Sequence, residues 1–566
     1  MLNTVRQTLL IASLFFTADL LGAWLAIGDL FEPSVGGLVL LGIALGNALL
    51  IGALSGVLAH LVLPSRWSSI AIRKLPLGII ALVSIAALAY GSRVGRQIPE
   101  LPARPSVRVE HAVPTLWVMI DTLRRDSLYD AEGTFAHTPK LREWASDAML
   151  FDDVESTAGW TIPSIASLMT GIHNTTMDAS AGELPSQYQT VAEYMREAGY
   201  QTHAIVDNVI VEPRAGFGEG FETFAQRSAF RFVFSLPTFR VLPRVVHDKI
   251  RSIWPTAYDG APDVTERAIS RIQNAEGAPL FLYVHYMDPH APYYAHPEIA
   301  PDPPETEEVD YYHFRDIARA DVIPDITPPQ LARLEHRYAG EIAALDTPLH
   351  RLLESWDARF GKDSVVMITS DHGEEFLDHG HLGHGHTVHR EIVNVPLIWR
   401  LPSHIKAAMP GGTVYHQPMS QIDILPTTLD ILGVTPAEPS SHPPIQGKSW
   451  FPWLRGDTSA PETPLISSHG RHGRRTYRYR TGNDVYIKTM FYSGQPTEHL
   501  FFDLEHDPDE KRNLSQSPTA ELASDHREIR REFEKRARSL KGSGPNDPSQ
   551  NTTDDQEALR AIGYIQ

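Results

Sequence analysis

The residues most able to do chemistry lie at the ends of three apolar runs of the sequence. Runs rich in β-branched residues are typical of strands buried on both faces of a parallel sheet, which bring side chains to one edge at their carboxyl ends. Each carboxylate or imidazole alone would be an ordinary solvated loop residue, but three such ends together predict a metal site. The runs and the residues that follow them are 115–120 with Asp121, 279–287 with Asp288 and His290, and 364–370 with Asp371, His372 and Glu374.

The segment from Thr161 to Gly171 has the pattern of a short helix. It begins with a hydroxyl residue, carries Pro163 in its first turn and ends at a glycine. The positive end of such a helix would favour a phosphate or sulfate group and would lower the pKa of the Thr161 hydroxyl. A threonine is also a routine helix cap, so an inert structural role is the alternative. The metal ligands expected nearby favour the nucleophile.

The elements that must position these residues alternate between strand and helix from residue 114 onward. This order predicts an α/β fold in which helices flank a mostly parallel central sheet. Beyond about residue 470 the strand patterns are shorter and more polar, as in 484–490, and predict a small antiparallel lobe. The predicted strands are 115–120, 201–206, 279–286 and 364–369, and the predicted helices include 191–198 and 338–346.

Composition narrows the classes of partner. The net charge of −19 argues against nucleic acid, because binding DNA or RNA normally requires a basic surface that releases counterions. The absence of cysteine excludes disulfides, thiolate metal sites and a cysteine nucleophile.

The amino-terminal part has the composition of a membrane anchor. Three apolar stretches, roughly 9–30, 36–63 and 75–91, each approach the roughly 20 residues that cross a bilayer. Basic residues between the second and third stretches, and acidic residues between the first and second, place the former loop in the cytoplasm. We therefore expect a multi-pass protein of the cell membrane with an extracytoplasmic (periplasmic) catalytic domain. The expected organisation is 1–96 transmembrane helices, 97–113 linker, 114–470 catalytic domain, and 471–566 smaller lobe and tail.

Several motifs now support a resemblance: residues 114–566 resemble the sulfatase family of the alkaline phosphatase superfamily. The matching segments occur in the family's order. They are Ile120-Asp121-Thr-Leu-Arg124-x-Asp126, Thr161 to Gly171, Tyr286-Met-Asp-Pro-His-Ala-Pro-Tyr293, Ser370-Asp-His-Gly-Glu374, Gly383-His384-Gly385 with Val395-Pro-Leu-Ile398, Phe502-Asp-Leu-x-x-Asp-Pro508 with Asn513-Leu514, and Leu559-Arg-Ala-Ile-Gly-Tyr564.

The resemblance implies roles for individual residues. Asp121, Asp371 and His372 would bind a divalent metal together with Thr161, and Thr161 would be the nucleophile. His290 and His384 would contact the charged group of the substrate and its leaving oxygen. Imidazole with carboxylate suits zinc or manganese, and related oxygen-rich sites hold calcium.

One ion is expected at this site. A second ion is possible if the histidine cluster at 379–389 binds it, although a solvated histidine-rich loop explains the cluster equally well. The cluster consists of His379, His381, His384, His386 and His389.

Three residues depart from the family pattern. Sulfatases of this family convert a cysteine or serine into formylglycine, and Thr161 cannot form that aldehyde. Ile165 stands in place of the signature arginine, and Ile120 in place of a second aspartate. Threonine is the nucleophile of related phosphoglycerol and phosphoethanolamine transferases and of nucleotide phosphodiesterases, whose chemistry fits this chain better.

The sequence thus predicts a metal-dependent hydrolase of sulfate or phosphate esters, with a substrate that could be linked to lipid or glycan. A first alternative is a transferase that adds phosphoglycerol or phosphoethanolamine to lipid or envelope glycan. A second is an inactive binding protein on the same scaffold, which retention of Asp121, Asp371 and His372 argues against.

Overall fold

The structure of the chain is a computed structural model. This structure describes residues 113–540 apart from 178, 180–181, 209, 227–259, 306, 308, 310–324, 407–412, 436–441, 472, 493–494 and 517–519. The predicted membrane anchor (1–96) and nearly all of the predicted linker (97–113) lie outside the described residues. Within the described ranges, no helix is both long and apolar enough to cross a membrane.

The strands are named here in chain order. They are β1 (Thr115–Ile120), β2 (Met149–Glu155), β3 (Gln201–Val206), β4 (Thr223–Gln226), β5 (Leu280–Tyr286), β6 (Val365–Ser370), β7 (Glu375–Phe376), β8 (Leu382–Gly383), β9 (Asn394–Arg400), β10 (Val414–Tyr415), β11 (Met419–Ser420), β12 (Leu465–Arg471), β13 (Arg474–Thr481), β14 (Asp484–Phe491) and β15 (Glu498–Asp503).

The helices are named in the same way. They are α1 (Arg125–Leu128), α2 (Pro139–Ala145), α3 (Thr161–Thr170), α4 (Asn174–Met177), α5 (Val191–Glu197), α6 (Gly260–Gln273), α7 (Pro328–Phe360), α8 (Arg390–Val393), α9 (Ser403–Lys406), α10 (Ile424–Leu432), α11 (Phe451–Leu454) and α12 (Ala520–Leu540). Short 3₁₀ turns occur at Pro213–Ala215, Gln421–Asp423 and Leu514–Gln516.

The central sheet has the order β10-β2-β9-β6-β1-β5-β3-β4, with β11 also paired to β2. Strands β6, β1, β5, β3 and β4 are mutually parallel, whereas β9 runs antiparallel to both β6 and β2. The predicted mostly parallel sheet is confirmed. The four strands predicted from apolar runs are the four that lie side by side at its centre.

Both faces of the central sheet are buried, which explains why its strands are continuous apolar runs rather than alternating patterns. Along β1, Trp117 and Met119 belong to one apolar cluster, while Leu116, Val118 and Ile120 belong to the cluster on the opposite face. The long helix α7 begins with a capping box at Thr327 and carries Pro328 in its first turn, as such a helix start requires.

Four antiparallel strands, in the order β12-β13-β14-β15, form a second sheet. Its first strand begins at Leu465 and its last ends at Asp503. The predicted small antiparallel lobe is therefore present. We call the part of the chain from Leu465 to Leu540 the carboxy-terminal lobe.

Candidate active site

The carboxyl ends of β1 and β6 are adjacent, because these strands pair in parallel register with Ile120 beside Ser370. The next residues of the two strands, Asp121 and Asp371, therefore meet, and His372 joins them. One potential ligand atom from each of these three residues lies within 4.8 Å of the others, and all three residues are buried. We call these three residues the metal centre.

Asp121 is oriented by two donors from neighbouring strands. Its Oδ2 accepts hydrogen bonds from Asn208 Nδ2 at 2.6 Å and from His285 Nε2 at 3.2 Å. Its Oδ1 is buried and has no hydrogen-bond partner among the described residues. One oxygen of Asp121 is thus fixed by the protein, and the other is available to a ligand.

Asp371 has the same asymmetry. Its Oδ1 accepts the backbone N–H groups of Thr122 at 3.1 Å and His372 at 2.9 Å. Its Oδ2 is buried without a hydrogen-bond donor among the described residues and lies 3.2 Å from His372 Nε2. Thr122 adopts a φ of 56°, an unusual conformation for a β-branched residue, so the turn that presents its N–H to Asp371 is strained.

The tautomer of His372 follows from its other nitrogen. Nδ1 lies 2.8 Å from the carbonyl oxygen of Gly373, which can only accept, so Nδ1 carries a hydrogen and Nε2 is the nitrogen that faces the metal centre. Nε2 lies 3.2 Å from Asp371 Oδ2, which is itself an acceptor. Such a contact requires a cation or a proton between them.

The charges at the metal centre support this requirement. Burial and the neighbouring Asp121 carboxylate raise the pKa of Asp371 to about 6, although nearby imidazoles act in the opposite direction. Burial alone would also raise the pKa of Asp121, but the hydrogen bond from His285 and the charges of the surrounding imidazoles lower it to about 2. The two buried carboxylates therefore compete for positive charge, which a divalent ion would supply.

The donor set fits a divalent metal. Asp121 Oδ1, Asp371 Oδ2 and His372 Nε2 are two carboxylate oxygens and one imidazole nitrogen, a combination suited to zinc or manganese and compatible with other divalent ions. Each carboxylate is held by hydrogen bonds on its second oxygen, as metal ligands commonly are. The roles of these residues as metal ligands stay predictions.

Thr161 lies beside this metal centre at the start of α3. Its Oγ1 is 3.3 Å from His372 Nε2, and the residue is fully buried. Trp160, not Thr161, occupies the N-cap position, and no side chain caps this helix. The capping alternative therefore does not account for the hydroxyl of Thr161. Gly171 ends the helix in the left-handed conformation, as the sequence pattern predicts.

Two buried serines fix the helix against the metal ligand. Ser156 Oγ and Ser164 Oγ each lie 2.5 Å from the backbone carbonyl oxygen of Asp371, and Ser164 Oγ also lies 2.8 Å from Gln421 Oε1, so these acceptors share the hydroxyl hydrogens. Gln421 Nε2 in turn donates to the carbonyl of Ser370 at 2.7 Å. These contacts hold Thr161 and Asp371 in a fixed relation.

His290 and His384 also lie at the metal centre. The ring of His384 is 4.5 Å from that of His372 and 5.0 Å from that of His290, measured between centroids. His384 Nδ1 is 2.9 Å from Glu374 Oε1, and Tyr293 Oη donates to Glu374 Oε2 at 2.8 Å. Asp288 turns away instead, since its Oδ2 accepts the backbone N–H of Ala261 at 3.0 Å in α6.

The other four members of the histidine cluster face the carboxy-terminal lobe. They line a polar cavity of about 330 Å³ together with residues from β13, β14 and β15. His379 pairs with Glu391 at 2.8 Å, His386 with Glu375 at 3.1 Å and His389 with Glu510 at 2.9 Å. We call these six residues the lobe-side cluster.

The lobe-side cluster does not have the geometry of a second metal site. Among the described residues, three potential ligands come within 4.8 Å of one another only at the metal centre and at the surface group Asp503, Glu505 and His506. Among the described residues the histidine cluster therefore does not provide a ready second site, and one ion at the active site stays a prediction.

Comparison with known proteins gives the family. The family model described as Sulfatase matches residues 115–434, more than half of the chain. The chain belongs to the sulfatase family. A choline-sulfatase of Rhizobium meliloti (strain 1021) is 24% identical over 450 residues, covering 71% of this chain and 82% of the relative. The multifunctional alkaline phosphatase superfamily protein PehA of Trinickia caryophylli is 26% identical over 499 residues, covering 73% and 93%.

Solved structures agree with the family assignment at the level of the fold. The crystal structure of the phosphonate monoester hydrolase of Agrobacterium radiobacter superposes with a TM-score of 0.56 and 20% sequence identity. The match covers 76% of this chain and 95% of that one. The chain is thus an ester hydrolase of the sulfatase family by homology, and the resemblance inferred from its motifs is confirmed.

Several residues of this sulfatase-family site are not evident from the sequence motifs. They include two donors to Asp121 and the residues that join α3 to the carboxyl end of β6. Asn208 follows β3 by two residues, so the rule that strand ends carry site residues could have found it. His285 lies inside the apolar run of β5, where an inward-facing imidazole is hard to distinguish from a core residue. The set comprises Asn208, His285, Ser156, Ser164 and Gln421.

Proposed function

We propose that this sulfatase-family protein cleaves phosphate or sulfate esters with Thr161 as the nucleophile and one divalent metal ion at Asp121, Asp371 and His372. The observation that carries the proposal is the position of Thr161 Oγ1, which lies 3.3 Å from His372 Nε2 beside two donor-free carboxylate oxygens. An inactive binding protein would have no need to keep a buried, strained group of this kind.

A divalent ion held by Asp121, Asp371, His372 and Thr161 would lower the pKa of the threonine hydroxyl and offset the negative charge of the substrate's oxygens. The N-terminus of α3 adds partial positive charge at the same point. Thr161 is thus placed where its hydroxyl is most acidic and where an anionic ester group binds.

The reaction then follows in two steps. Thr161 Oγ1 attacks the phosphorus or sulfur atom in line, its proton passes to solvent, and the ester bond to the leaving alcohol breaks. Protonated His290 or His384 donates a proton to the departing oxygen. In the second step a water molecule attacks the same atom, the bond to Thr161 Oγ1 breaks, and the histidine accepts a proton from the attacking water while Thr161 Oγ1 takes up a proton from solvent.

Phosphate esters are the proposed preferred substrates. Formylglycine chemistry expels sulfate by collapse to an aldehyde, and a threonine side chain cannot be converted to that aldehyde. A threonine ester must be resolved by direct attack, which is the route of phosphoryl-transfer enzymes with hydroxyl nucleophiles. The proteins similar to this chain include a choline-sulfatase and a phosphonate monoester hydrolase, so this fold serves esters of both sulfur and phosphorus.

The test is a panel of aryl sulfate, phosphate monoester and phosphate diester, each assayed with zinc, manganese or calcium. We expect turnover of a phosphate ester to exceed that of the sulfate, and Thr161→Ala to abolish it. Thr170→Ala is the matched control, because Thr170 lies in the same helix and its hydroxyl donates only to the carbonyl of Ala166. A slow substrate should leave its phosphoryl group on Thr161, detectable by peptide mass spectrometry.

Two outcomes would contradict the proposal. Aryl sulfate as the best substrate by a wide margin would refute the role assigned to threonine, and full activity of Thr161→Ala would remove it as nucleophile. Transfer of the phosphoryl group to an added alcohol in preference to water would instead identify the transferase predicted as the alternative.

The cellular location is part of the same proposal. The apolar stretches of residues 1–96 support a membrane anchor with the catalytic domain on the extracytoplasmic side. A carboxy-terminal alkaline phosphatase fusion should be active in this topology, and an inactive fusion would reject it.

A further inference from the structure

One residue of the carboxy-terminal lobe contacts both ends of the loop that carries His384. Glu510 follows β15 in the chain and is 1% exposed. Its side-chain Oε2 accepts a hydrogen bond from His389 Nδ1 at 2.9 Å, and its backbone carbonyl accepts one from His379 Nε2 at 3.0 Å. His384 lies midway between those two histidines in the sequence.

The two ends of this loop are also joined to each other. The rings of His379 and His389 stack with their centroids 3.7 Å apart and their planes 5° from parallel. His379 Nδ1 lies 2.8 Å from Glu391 Oε1, so both of its nitrogens have acceptors. The loop is therefore closed by a stacked pair of imidazoles that Glu510 holds from the side of the lobe.

Glu510 is itself fixed. Its Oε1 accepts a hydrogen bond from Arg478 Nη1 at 2.5 Å, and Arg478 is fully buried on β13. The charge of Arg478 keeps the pKa of Glu510 far below its ordinary value despite burial, so the carboxylate stays ionised. Glu510 also has a φ of 54°, a conformation that non-glycine residues adopt rarely and mostly where surrounding contacts enforce it.

Adjacent residues connect this arrangement to the active site. Glu374 accepts from His384 at the metal centre, whereas Glu375 pairs with His386 in the lobe-side cluster. The loop therefore presents one glutamate–histidine pair to each side. The side facing the lobe adjoins a cavity of about 330 Å³, and beside it Val388 of the loop packs in an apolar cluster with Ile487 and Phe502 of the lobe. The apolar contact is not directional, so the hydrogen bonds to Glu510 are what fix the orientation of the loop's histidines.

We propose that Glu510 is a positioning residue for catalysis, which sets the place of His384 through His379 and His389. The carboxy-terminal lobe thereby completes the active site without contributing a residue to the metal centre. This proposal rests on the proposed function, because it requires His384 to contact the substrate.

The test is a double-mutant cycle of Glu510→Ala and His384→Ala, assayed with the phosphate ester that the panel identifies. Glu510→Ala should raise KM by about tenfold, the lower end of what loss of an outer supporting contact costs elsewhere. Metal content should stay unchanged, because no residue of the metal centre contacts Glu510. His384→Ala should raise KM as well, and the double variant should be no worse than His384→Ala alone.

Three further variants separate positioning from general stability. Glu510→Gln keeps an acceptor for His389 and should restore KM towards the parent value. Glu510→Gly also removes the side chain, and glycine adopts a positive φ without strain. This variant therefore reports on positioning even if the alanine variant folds poorly. Asp153→Asn weakens another buried ion pair between the lobe and the central sheet, to Arg480 at 2.6 Å, and should leave KM unchanged.

The outcomes distinguish the two proposals. Additive effects in the cycle, or a parent-like KM in both Glu510→Ala and Glu510→Gly when His384→Ala raises it, would overturn the positioning role alone. No effect of His384→Ala would remove His384 from substrate binding and overturn both that part of the proposed function and this inference. A fall in kcat at constant KM in Glu510→Ala that His384→Ala does not reproduce would indicate only a smaller folded fraction and would also overturn the positioning role.

Discussion

Two sites built from histidine and glutamate or aspartate lie on opposite sides of one loop, and their donors and acceptors are balanced differently. At the metal centre, Asp121 and Asp371 each keep one buried oxygen without a donor among the described residues. In the lobe-side cluster, Glu375, Glu391 and Glu510 each pair with a histidine, and Glu510 also with Arg478. The same residue types thus leave buried acceptors without donors at the proposed cation site, whereas on the lobe side each carboxylate is matched with a donor.

Residue type and burial therefore do not identify a metal site by themselves. A histidine and a carboxylate in contact can neutralise each other, and they then have no need of an ion. Only the count of donors against acceptors separates the two cases.

The largest effect should come from the metal centre. Asp371→Asn removes one of two buried negative charges, so metal affinity should fall and kcat/KM should drop by roughly 10³-fold or more. Elemental analysis of the purified protein and the phosphate ester assay measure the two quantities. Thr161→Ala is the matched control: it should lose activity to a similar extent but lose less metal, because Asp121, Asp371 and His372 remain. Full metal content in Asp371→Asn would remove Asp371 from the site.

The next largest effect should come from the ion pairs on the lobe side. Arg478 is buried and contacts both Glu155 and Glu510, so Arg478→Met leaves two buried carboxylates with fewer partners. The free energy of unfolding should fall by about 3–5 kcal/mol, as when one partner of a buried pair is removed. Urea denaturation measures it.

The control for this prediction is an exposed pair. Arg351→Met breaks the contact of Arg351 with Glu266, both about half exposed, and should cost under about 1 kcal/mol. Equal losses in the two variants would show that the lobe-side ion pairs contribute no more than a surface pair does.

The stability of the lobe-side cluster should depend on pH. Burial alone would lower the pKa of His379, but its contacts with Glu391 and Glu510 raise it to about 9 from 6.5. The stabilisation is complete below the unfolded value of 6.5 and is lost as the pH rises through 9. Between these limits the free energy of unfolding should fall by on the order of 2 kcal/mol after allowance for solvent screening.

Denaturation at a series of pH values in the parent and in His379→Gln tests this dependence. The variant should show a flatter profile between pH 6.5 and 9. His506→Gln is the control, because His506 pairs with Asp503 at the exposed surface, where solvent screening should make its effect on the slope much smaller. An unchanged slope in His379→Gln would mean that this imidazole is not charged in the folded protein.

The smallest effect has the opposite sign. In protein stripped of metal, the raised pKa of Asp371 indicates that its charge destabilises the fold above pH 6. Asparagine at this position would keep an acceptor for the N–H groups of Thr122 and His372 and would turn an NH₂ donor towards the remaining acceptors. Metal-free Asp371→Asn should therefore be more stable than metal-free parent protein by about 1 kcal/mol.

Thermal denaturation in chelator at pH 8 measures this difference. Glu510→Gln, the corresponding change in the lobe-side cluster, should lower stability under the same conditions because it weakens contacts that are already satisfied. If Asp371→Asn were also destabilising, the two sides of the loop would not differ in donor balance as described.

Much of the fold follows from local patterns. The runs at 115–120, 201–206, 279–286 and 364–369 are the central parallel strands, with at most one residue of difference at their ends. A strand buried on both faces must be apolar along its whole length, so this signal is strong. The antiparallel second sheet begins at Leu465, close to the predicted change in pattern at about residue 470.

Part of the candidate site also follows from local patterns in the sequence. Asp121, Asp371 and His372 could be placed together from sequence, because strands that run parallel end at one edge of the sheet and their next residues must meet. Thr161 could be placed at a helix start from its hydroxyl, proline and glycine spacing. These inferences need only the period of a strand or helix and its ends.

The motif Gly383-His384-Gly385 singles out one of the five clustered histidines by resemblance, but only the tertiary structure shows why His384, and not its neighbours, reaches the metal centre. His384 and His386 are two residues apart in a segment of identical chemistry, yet one pairs with Glu374 and the other with Glu375 on opposite sides. The partner of His389 is Glu510, which lies 121 positions away in the chain. No local period encodes such a choice, because the pairing of a carboxylate with an imidazole depends on which strands and lobes fold against each other.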